Sequence, residues 1–384
     1  MLSELFASSL GRSRILIALG LFFLYASLAA FSALWPFMVE SAGVDSTSYG
    51  GFLGAGNILS IFARGFLMAA NSLGIVVFAG ALFSIGSAAA LLLGYTYHTI
   101  FFSTIFQRMG FAASMMGRGL AAGMEVPRNW RGVFTAEIMS SAQLGMLLGI
   151  NLGLATFLLT GTYVYALLSG IILAFLAMIL LAPWRRTKLF KEKFSLRLLI
   201  PSSKPAKLLL LLCCMDAFVW GGVFGFAYVL APSYLGAVES DIGLARSLTM
   251  ILAIPLNLVF GAISDKIRSR SLFLTLSEIL GATALFCYAL IRSPISIIVF
   301  GLLMGFVAAS WGPIVIALFT EVTPRDELGA TLSSWSILTG ASRVVYPMIG
   351  GLIIERLGVG FFFNLSGALL LALAILMAIL LKGY

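Results

Sequence analysis

The residues MGFAA at positions 109–113 recur as MGFVA at positions 304–308, an offset of 195 residues. Each copy precedes a loop that carries a glutamate, a proline and an arginine, EVPR at 125–128 and EVTPR at 321–325. Unrelated segments would rarely resemble each other twice at nearly one offset. The pattern therefore predicts a chain built from two copies of one unit.

Long apolar blocks, such as residues 75–94, surround these motifs. Hydrophobic residues make up 61% of the 384 positions and charged residues 10%, whereas soluble domains carry roughly 25% charged residues. This composition excludes a soluble enzyme, a disordered chain and a nucleic-acid binder. Strands of a membrane β-barrel would alternate polar and apolar residues, and these blocks do not. The prediction is an all-α polytopic membrane protein.

Twelve transmembrane helices are predicted as two pseudo-symmetric six-helix bundles. The N-terminal bundle is residues 1–183, a basic cytoplasmic linker is 184–205, and the C-terminal bundle is 206–384. The candidate spans are 13–37, 48–70, 74–94, 98–118, 131–159, 162–183, 206–232, 241–263, 271–291, 294–320, 328–353 and 360–382.

The net charge of +9 is explained by topology. With the N-terminus inside, 18 of the 24 basic residues fall in cytoplasmic segments, eight of them between Arg185 and Lys207. Only Arg246, Arg292 and Arg356 fall outside, and three more lie within spans. Basic residues concentrate on the cytoplasmic side of membrane proteins, so both termini are expected to be cytoplasmic. The expected location is the plasma membrane.

The segment GAISDKIRSR at 261–270 resembles the loop motif G-x-x-x-D-[RK]-x-G-[RK]-[RK] of the major facilitator superfamily of secondary transporters. Gly261, Asp265, Lys266 and Arg270 fit this motif. In the first-half copy Asn71 replaces the acidic residue and Gly74 is retained. The resemblance implies the superfamily's fold, with two bundles around a central cavity, and a gating role for this loop.

Charged residues inside the spans are the main functional candidates, because burying a charge in hydrocarbon is costly. Asp216 lies in span seven with Trp220 at i+4 on the same face, and is predicted to take up and release a proton. Arg108 in span four resembles a recurrent arginine of the superfamily and is its expected counter-charge. The alternative for Arg108 is a structural ion pair with a neighbouring helix, and the alternative for Asp216 is a carboxylate that caps serine or main-chain groups at a helix contact.

Two further charges, Glu137 in span five and Arg343 in span eleven, are secondary candidates for proton coupling or substrate binding. For each of Arg64 and Glu278, a role in a structural ion pair or a side chain that reaches the membrane interface is expected instead.

The predicted cavity is lined by aromatic side chains on spans one, seven, ten and eleven. These are Phe22, Tyr25, Trp220, Trp311 and Tyr346. Neither a nucleotide-binding motif nor a metal or hydrolase constellation is found in the sequence, so no cofactor, no metal and no enzymatic activity are expected.

The predicted function is secondary active transport by alternating access, most simply proton-coupled export of a small organic molecule by a monomer. Gly145, Gly149 and Gly153 in span five resemble the superfamily's antiporter motif, although ordinary helix packing explains them equally well. The alternatives are proton- or cation-coupled uptake of a sugar, organic anion or other nutrient, and a non-transporting sensor or scaffold on the same fold.

Overall fold

The structure is a computed structural model, and it describes residues 9–70, 72–122, 131–183, 200–267, 270–324 and 327–382. Almost all of this part of the chain is helical. The helices are α1 (Ser9–Ala29), α2 (Trp35–Ser41), α3 (Ser46–Ala70), α4 (Leu73–Leu92), α5 (Tyr97–Ala122), α6 (Arg131–Thr160), α7 (Tyr163–Leu181), α8 (Lys204–Val229), α9 (Glu239–Ile267), α10 (Arg270–Leu290), α11 (Pro294–Val322), α12 (Leu328–Ser342), α13 (Val345–Leu357) and α14 (Val359–Leu380).

Each predicted span corresponds to one helix, except that span one runs from α1 into the start of α2 and that α12 and α13 together form span eleven. Ten of the spans are long and apolar enough to cross a membrane by length and composition. The other two are α1, whose apolar part is Ile15–Ala29, and α5. The all-α fold class with twelve spans is confirmed, and the chain is a multi-pass membrane protein.

The first predicted span, 13–37, is too long at its C-terminal end. Helix α1 ends at Ala29, and α2 begins only at Trp35. Proline lacks the amide hydrogen and clashes with the carbonyl four residues earlier, so Pro36 cannot continue α1. The Ser32 hydroxyl donates to the Ala29 carbonyl at 2.8 Å and satisfies one of the last carbonyls of α1.

The eleventh predicted span is interrupted rather than continuous. Helix α12 ends at Ser342 and α13 starts at Val345, so that Arg343 lies at the break. Pro347 again supplies the reason, because in a continuous helix its nitrogen would have to bond the Arg343 carbonyl. Sequence reasoning did not use this proline.

The helices form two compact units. The first unit is Met1–Trp35 with Phe62–Lys193, and the second is Pro36–Ile61 with Phe194–Tyr384. The N-terminal part of α3 therefore packs with helices from the C-terminal half of the sequence. The predicted division at 184–205 stays a prediction, since most of that linker lies outside the described residues.

In the first unit, α1 and α6 approach closely along the predicted glycine series. A Cβ added to Gly145, Gly149 or Gly153 would overlap the main chain of α1 and the residue that follows it, at Phe22, Ala26 and Ala30. Small residues at four-residue spacing permit such an approach between membrane helices. Beside this seam an apolar core is formed by α1, α4, α5, α6 and α7, with Leu21, Leu24 and Val77 among its fully buried members.

The second unit has its own apolar core between α8, α10, α11 and α14. Its fully or nearly fully buried members include Cys213, Leu274, Val315, Phe319 and Met377. Trp311 and Trp335 pack against this core. One helical turn after Cys213, α8 carries Asp216, so the polar cluster described next borders a closely packed apolar region.

Candidate functional site

Two carboxyl groups lie side by side in the interior of the second unit. Asp216 is the thirteenth of the 26 residues of α8 and is 4% exposed. Glu278, in the first half of α10, is 1% exposed. The two side chains are within hydrogen-bonding range of each other. Because both helices are membrane spans, this pair of acids is enclosed in a region of low dielectric.

Two indole groups border the acid pair. The Trp311 indole nitrogen, on α11, donates a hydrogen bond of 2.9 Å to Oε1 of Glu278. Trp220, one turn after Asp216 on α8, lies close to the Asp216 carboxyl. Its ring also packs onto α10 at Gly281, where a Cβ would lie 2.7 Å from the indole. The site is thus built by α8, α10 and α11.

The break between α12 and α13 brings a positive charge to the site. Arg343, at the break between α12 and α13, lies close enough to attract the Asp216 carboxylate electrostatically. Within the described part of the chain the two do not form a salt bridge of 4.0 Å or less. Helices α8 and α12 meet tightly here, since a Cβ on Gly221 would lie 2.7 Å from the Arg343 Cα.

Three buried polar atoms of this cluster lack a hydrogen-bond partner among the described residues. They are Oδ1 of Asp216, Oε2 of Glu278 and Nε of Arg343. Leaving a buried polar group unsatisfied is unfavourable by about 1–3 kcal/mol. The cluster therefore has unused capacity for a proton or for a polar ligand, which distinguishes it from a closed structural ion pair.

Glu278 is the site residue that sequence reasoning missed. It was predicted to reach the membrane interface or to form a structural ion pair, and the structure instead buries it beside Asp216. A signal was available in the sequence, because Ser277 and Gly281 place small residues around Glu278 on α10. Small neighbours allow another helix to pack closely around Glu278. A side chain that extends to the membrane interface would not need small neighbours.

The predicted site residues of the first unit are placed as follows. Arg108 is partly buried in the middle of α5 and takes part in an interaction with another residue. Tyr25 is 3% exposed, and its hydroxyl has no hydrogen-bond partner within the described ranges. Phe22 packs edge-on against Phe23 with ring centroids 5.2 Å apart. The side chain of Glu137 lies outside the described residues.

Tyr346 is held in packing within the second unit. Its hydroxyl hydrogen-bonds the Ser366 hydroxyl at 2.7 Å, and its ring contacts Phe218 at 4.8 Å between centroids. With 3% exposure it supports α13 from the inside. Its predicted contact with substrate stays a prediction.

The predicted gating loop is only partly covered by the described residues. Gly261, Asp265 and Lys266 belong to the end of α9, which continues to Ile267, but their side chains are not described. Asn71 lies outside the described residues, and Gly74 is buried at the start of α4.

The described end of this loop is tied to the connection that follows α11. Arg270 forms a salt bridge of 2.8 Å with Glu321. The Ser203 hydroxyl donates to the Val322 carbonyl at 2.8 Å, and the Ser202 amide donates to Glu327 at 3.0 Å. These Ser202 contacts hold the pKa of Glu327 below its usual range. The start of α8, the start of α10 and the end of α11 are thus joined by polar contacts.

Comparison with known proteins supports the assignment of the fold. The sequence model described as Major Facilitator Superfamily matches residues 208–383. No curated protein matches the chain significantly. The fold of the chain is that of the major facilitator superfamily. The resemblance predicted from residues 261–270 is confirmed at the level of the fold.

Three solved structures illustrate the likeness. The human organic anion transporter MFSD10 (TETRAN) is 16% identical, with a TM-score of 0.68 over 95% of this chain and 99% of that one. The nucleoside transporter NupG, solved as a point mutant, is 12% identical, with a TM-score of 0.70 over 96% of this chain and 100% of that one. The xylose transporter XylE from E. coli, in its inward-open conformation, is 16% identical, with a TM-score of 0.69 over 96% of each chain.

Proposed function

We propose that this protein is a proton-coupled secondary active transporter that exports a small organic molecule by alternating access. The observation that carries the proposal is the buried pair of acids, Asp216 and Glu278, on two spans of a superfamily fold. Solved structures of this fold include transporters of an organic anion, a nucleoside and a sugar. Their range supports a small organic solute, while the acid pair supports a proton as the coupling ion.

The chemistry follows from the arrangement of charge. Two ionised carboxylates at hydrogen-bonding distance in a region of low dielectric repel each other strongly. One proton held between Asp216 and Glu278 removes this repulsion and satisfies the oxygen atoms that lack donors. The remaining negative charge is balanced by Arg343. Loading and release of this proton would change the net charge of the cluster, and that change can favour one conformation over another.

The neighbouring groups have supporting roles in this scheme. The Trp311 N–H holds the Glu278 carboxyl in one orientation through its 2.9 Å hydrogen bond. Arg108 and Glu137 remain proposed contributors from the first unit. The direction of transport rests on the resemblance of the α6 glycines to the antiporter motif. We further propose that the protein acts as a monomer in the plasma membrane with both termini cytoplasmic.

Transport in proteoliposomes tests this proposal. Vesicles that contain the pH indicator pyranine are exposed to a panel of sugars, nucleosides, organic cations and organic anions. A transported solute should move protons in the wild type, and an imposed pH gradient should drive its accumulation. Asp216→Asn and Glu278→Gln should each abolish gradient-driven accumulation while solute counterflow, which needs no net proton movement, is retained.

Glu355→Gln is the matched control for these variants. Glu355 is a carboxylate of the same unit that accepts a hydrogen bond from Thr47 near the helix ends, away from the acid pair. This variant should keep full coupling. Gradient-driven transport by both Asp216→Asn and Glu278→Gln at the wild-type level would contradict the proposal.

A further inference from the structure

A second charged side chain of the second unit, the partly buried Arg246 on α9, is not used by the acid pair. Sequence analysis assigns it to the outer side of the membrane, and within the second unit its side chain points inward. Leu244, Ile251 and Leu258 recur every seven residues and are 47%, 50% and 58% exposed, so they mark the outward face of α9. Arg246 follows Leu244 by two positions, which places it about 200° around the helix. It therefore faces inward.

An aromatic ring covers the flat face of this guanidinium. The Arg246 Cζ lies 3.8 Å from the centroid of the Tyr228 ring, which is 5% exposed. Tyr49, on the part of α3 that belongs to this unit, is close enough to interact electrostatically with the same cation. Phe226 packs against Tyr49 and Phe300 against Tyr228, each with centroids 5.8 Å apart. The surroundings of the cation are aromatic.

The edge of the guanidinium, in contrast, has unused hydrogen-bonding capacity. Its Nε is buried and lacks an acceptor within the described part of the chain. Nor does any described carboxylate lie within 4.0 Å of it. Stacking on a ring attracts a cation but supplies no acceptor for its in-plane N–H groups. A guanidinium with a buried, unpaired N–H group is costly in a membrane span, so an anion that accepts from this N–H would be stabilising.

We propose that Arg246, flanked by Tyr228 and Tyr49, binds the carboxylate of a small organic anion with an aromatic or apolar body. A carboxylate matches the planar edge of a guanidinium and can accept two parallel hydrogen bonds from it. The aromatic residues around the cation favour an apolar body next to the charged group. This inference names the substrate class of the proposed transporter and rests on that function for its biological meaning.

The test uses the full chain in phosphatidylcholine nanodiscs, with 1-naphthoate as the probe and its neutral analogue 1-naphthamide as the comparison. Naphthoate should bind at least tenfold more tightly than naphthamide to the wild type. Arg246→Gln should lose at least tenfold in naphthoate affinity, and Arg246→Lys should lose less because it keeps the charge. If the wild type binds naphthoate and naphthamide equally, or does not bind naphthoate, this result alone would overturn the proposal.

Arg292→Gln is the matched control, since Arg292 also faces a tyrosine of this unit, Tyr234, at 5.7 Å but is exposed. Its naphthoate affinity should equal that of the wild type. Unchanged affinity in Arg246→Gln would overturn the proposal. If that variant does not fold, the comparison of naphthoate with naphthamide in the wild type and the naphthoate affinity of Arg246→Lys test the proposal instead. Competition by added phosphatidylglycerol would assign the site to a lipid headgroup and also overturn it.

The two proposals fail separately. Asp216→Asn should still bind naphthoate, because the acid pair and Arg246 are different groups. If Arg246→Gln loses naphthoate binding but transport by the wild type does not depend on a pH gradient, only proton coupling is refuted. Proton-coupled transport with no preference for naphthoate would refute only the anion site.

Discussion

The side-chain amide of Asn57 donates a hydrogen bond of 2.7 Å to the main-chain carbonyl of Arg343. This carbonyl is the one that Pro347 leaves without its usual helical donor. Asn57 is 5% exposed, so water does not readily take its place. The bond stabilises the break in span eleven, and the break sets the position of the Arg343 side chain relative to Asp216.

Asn57→Leu should therefore lower the stability of the protein by about 1–3 kcal/mol, because it leaves a buried carbonyl unsatisfied. Pro347→Ala restores a main-chain N–H that can reach the same carbonyl, so Asn57→Leu should cost less in that background. Thermal unfolding of the two single variants and the double variant measures this coupling. Strictly additive losses would contradict the assigned role of Asn57.

Trp311→Phe should destabilise the protein by about 1–3 kcal/mol through loss of the donor to Glu278, beyond any change in packing. Trp335 stacks near Trp311 with centroids 6.3 Å apart, but its indole nitrogen has no hydrogen-bond partner among the described residues. Trp335→Phe is thus the matched control, and it should lose less stability than Trp311→Phe. Equal shifts in unfolding temperature would show that ring packing, and not the hydrogen bond, accounts for the effect.

Gly149→Ala should prevent the close approach of α1 and α6, because its Cβ would overlap the carbonyl of Ala26. Inserting an atom into a closely packed contact typically costs about 1–3 kcal/mol. Gly65 lies in α3 with no neighbouring atom within 4 Å of an added Cβ. Gly65→Ala should be neutral or slightly stabilising. A stable Gly149→Ala variant in the same unfolding assay would rule out the packing role of this glycine.

Asp45 precedes α3 and caps it. The Ser48 amide donates to Oδ1 at 2.8 Å and the Ser48 hydroxyl to Oδ2 at 2.7 Å. These bonds lower the pKa of Asp45 from its usual 3.8. A lowered pKa means that the stabilisation is present above the unfolded-state pKa and is lost as the pH falls through the folded-state pKa.

Asp45→Ala should thus be less stable than the wild type by about 0.5–2 kcal/mol at neutral pH. The difference should shrink as the pH falls below about 4. Asp45→Asn keeps an oxygen acceptor and should remain capped across this range. Unfolding temperatures of the three proteins in detergent, measured against pH, check this expectation. A difference between wild type and Asp45→Ala that stays constant with pH would contradict it.

The fold was predictable because its signals are long-range patterns. Twelve apolar blocks, the repeat of 109–113 at 304–308, and the motif at 261–270 all point to one architecture. The two breaks at Ala29 and Arg343 were missed because hydropathy does not register a single proline. Both Pro36 and Pro347 were visible, and their effect on the carbonyl four residues earlier could have been used.

The site was only half predictable. Asp216 and Arg343 could be recognised because a charged residue inside an apolar block is visible in the sequence itself. The partnership of Asp216 with Glu278 depends on how α8 packs against α10, and hydropathy does not encode that register. The inward direction of Arg246 was not predicted for a related reason, because a position near the start of α9 does not show which way a side chain points. Its inward direction follows from the exposed leucine and isoleucine face of the same helix.

The central claim is that Asp216 and Glu278 hold an exchangeable proton between them. Infrared difference spectroscopy on the purified protein in nanodiscs, across a pH titration in H2O and D2O, tests it without any substrate. The account predicts a protonated-carboxyl band in the wild type that shifts in D2O and disappears in the Asp216→Asn/Glu278→Gln double variant. A wild-type spectrum identical to that of the double variant would show that both acids are ionised, and would contradict the account.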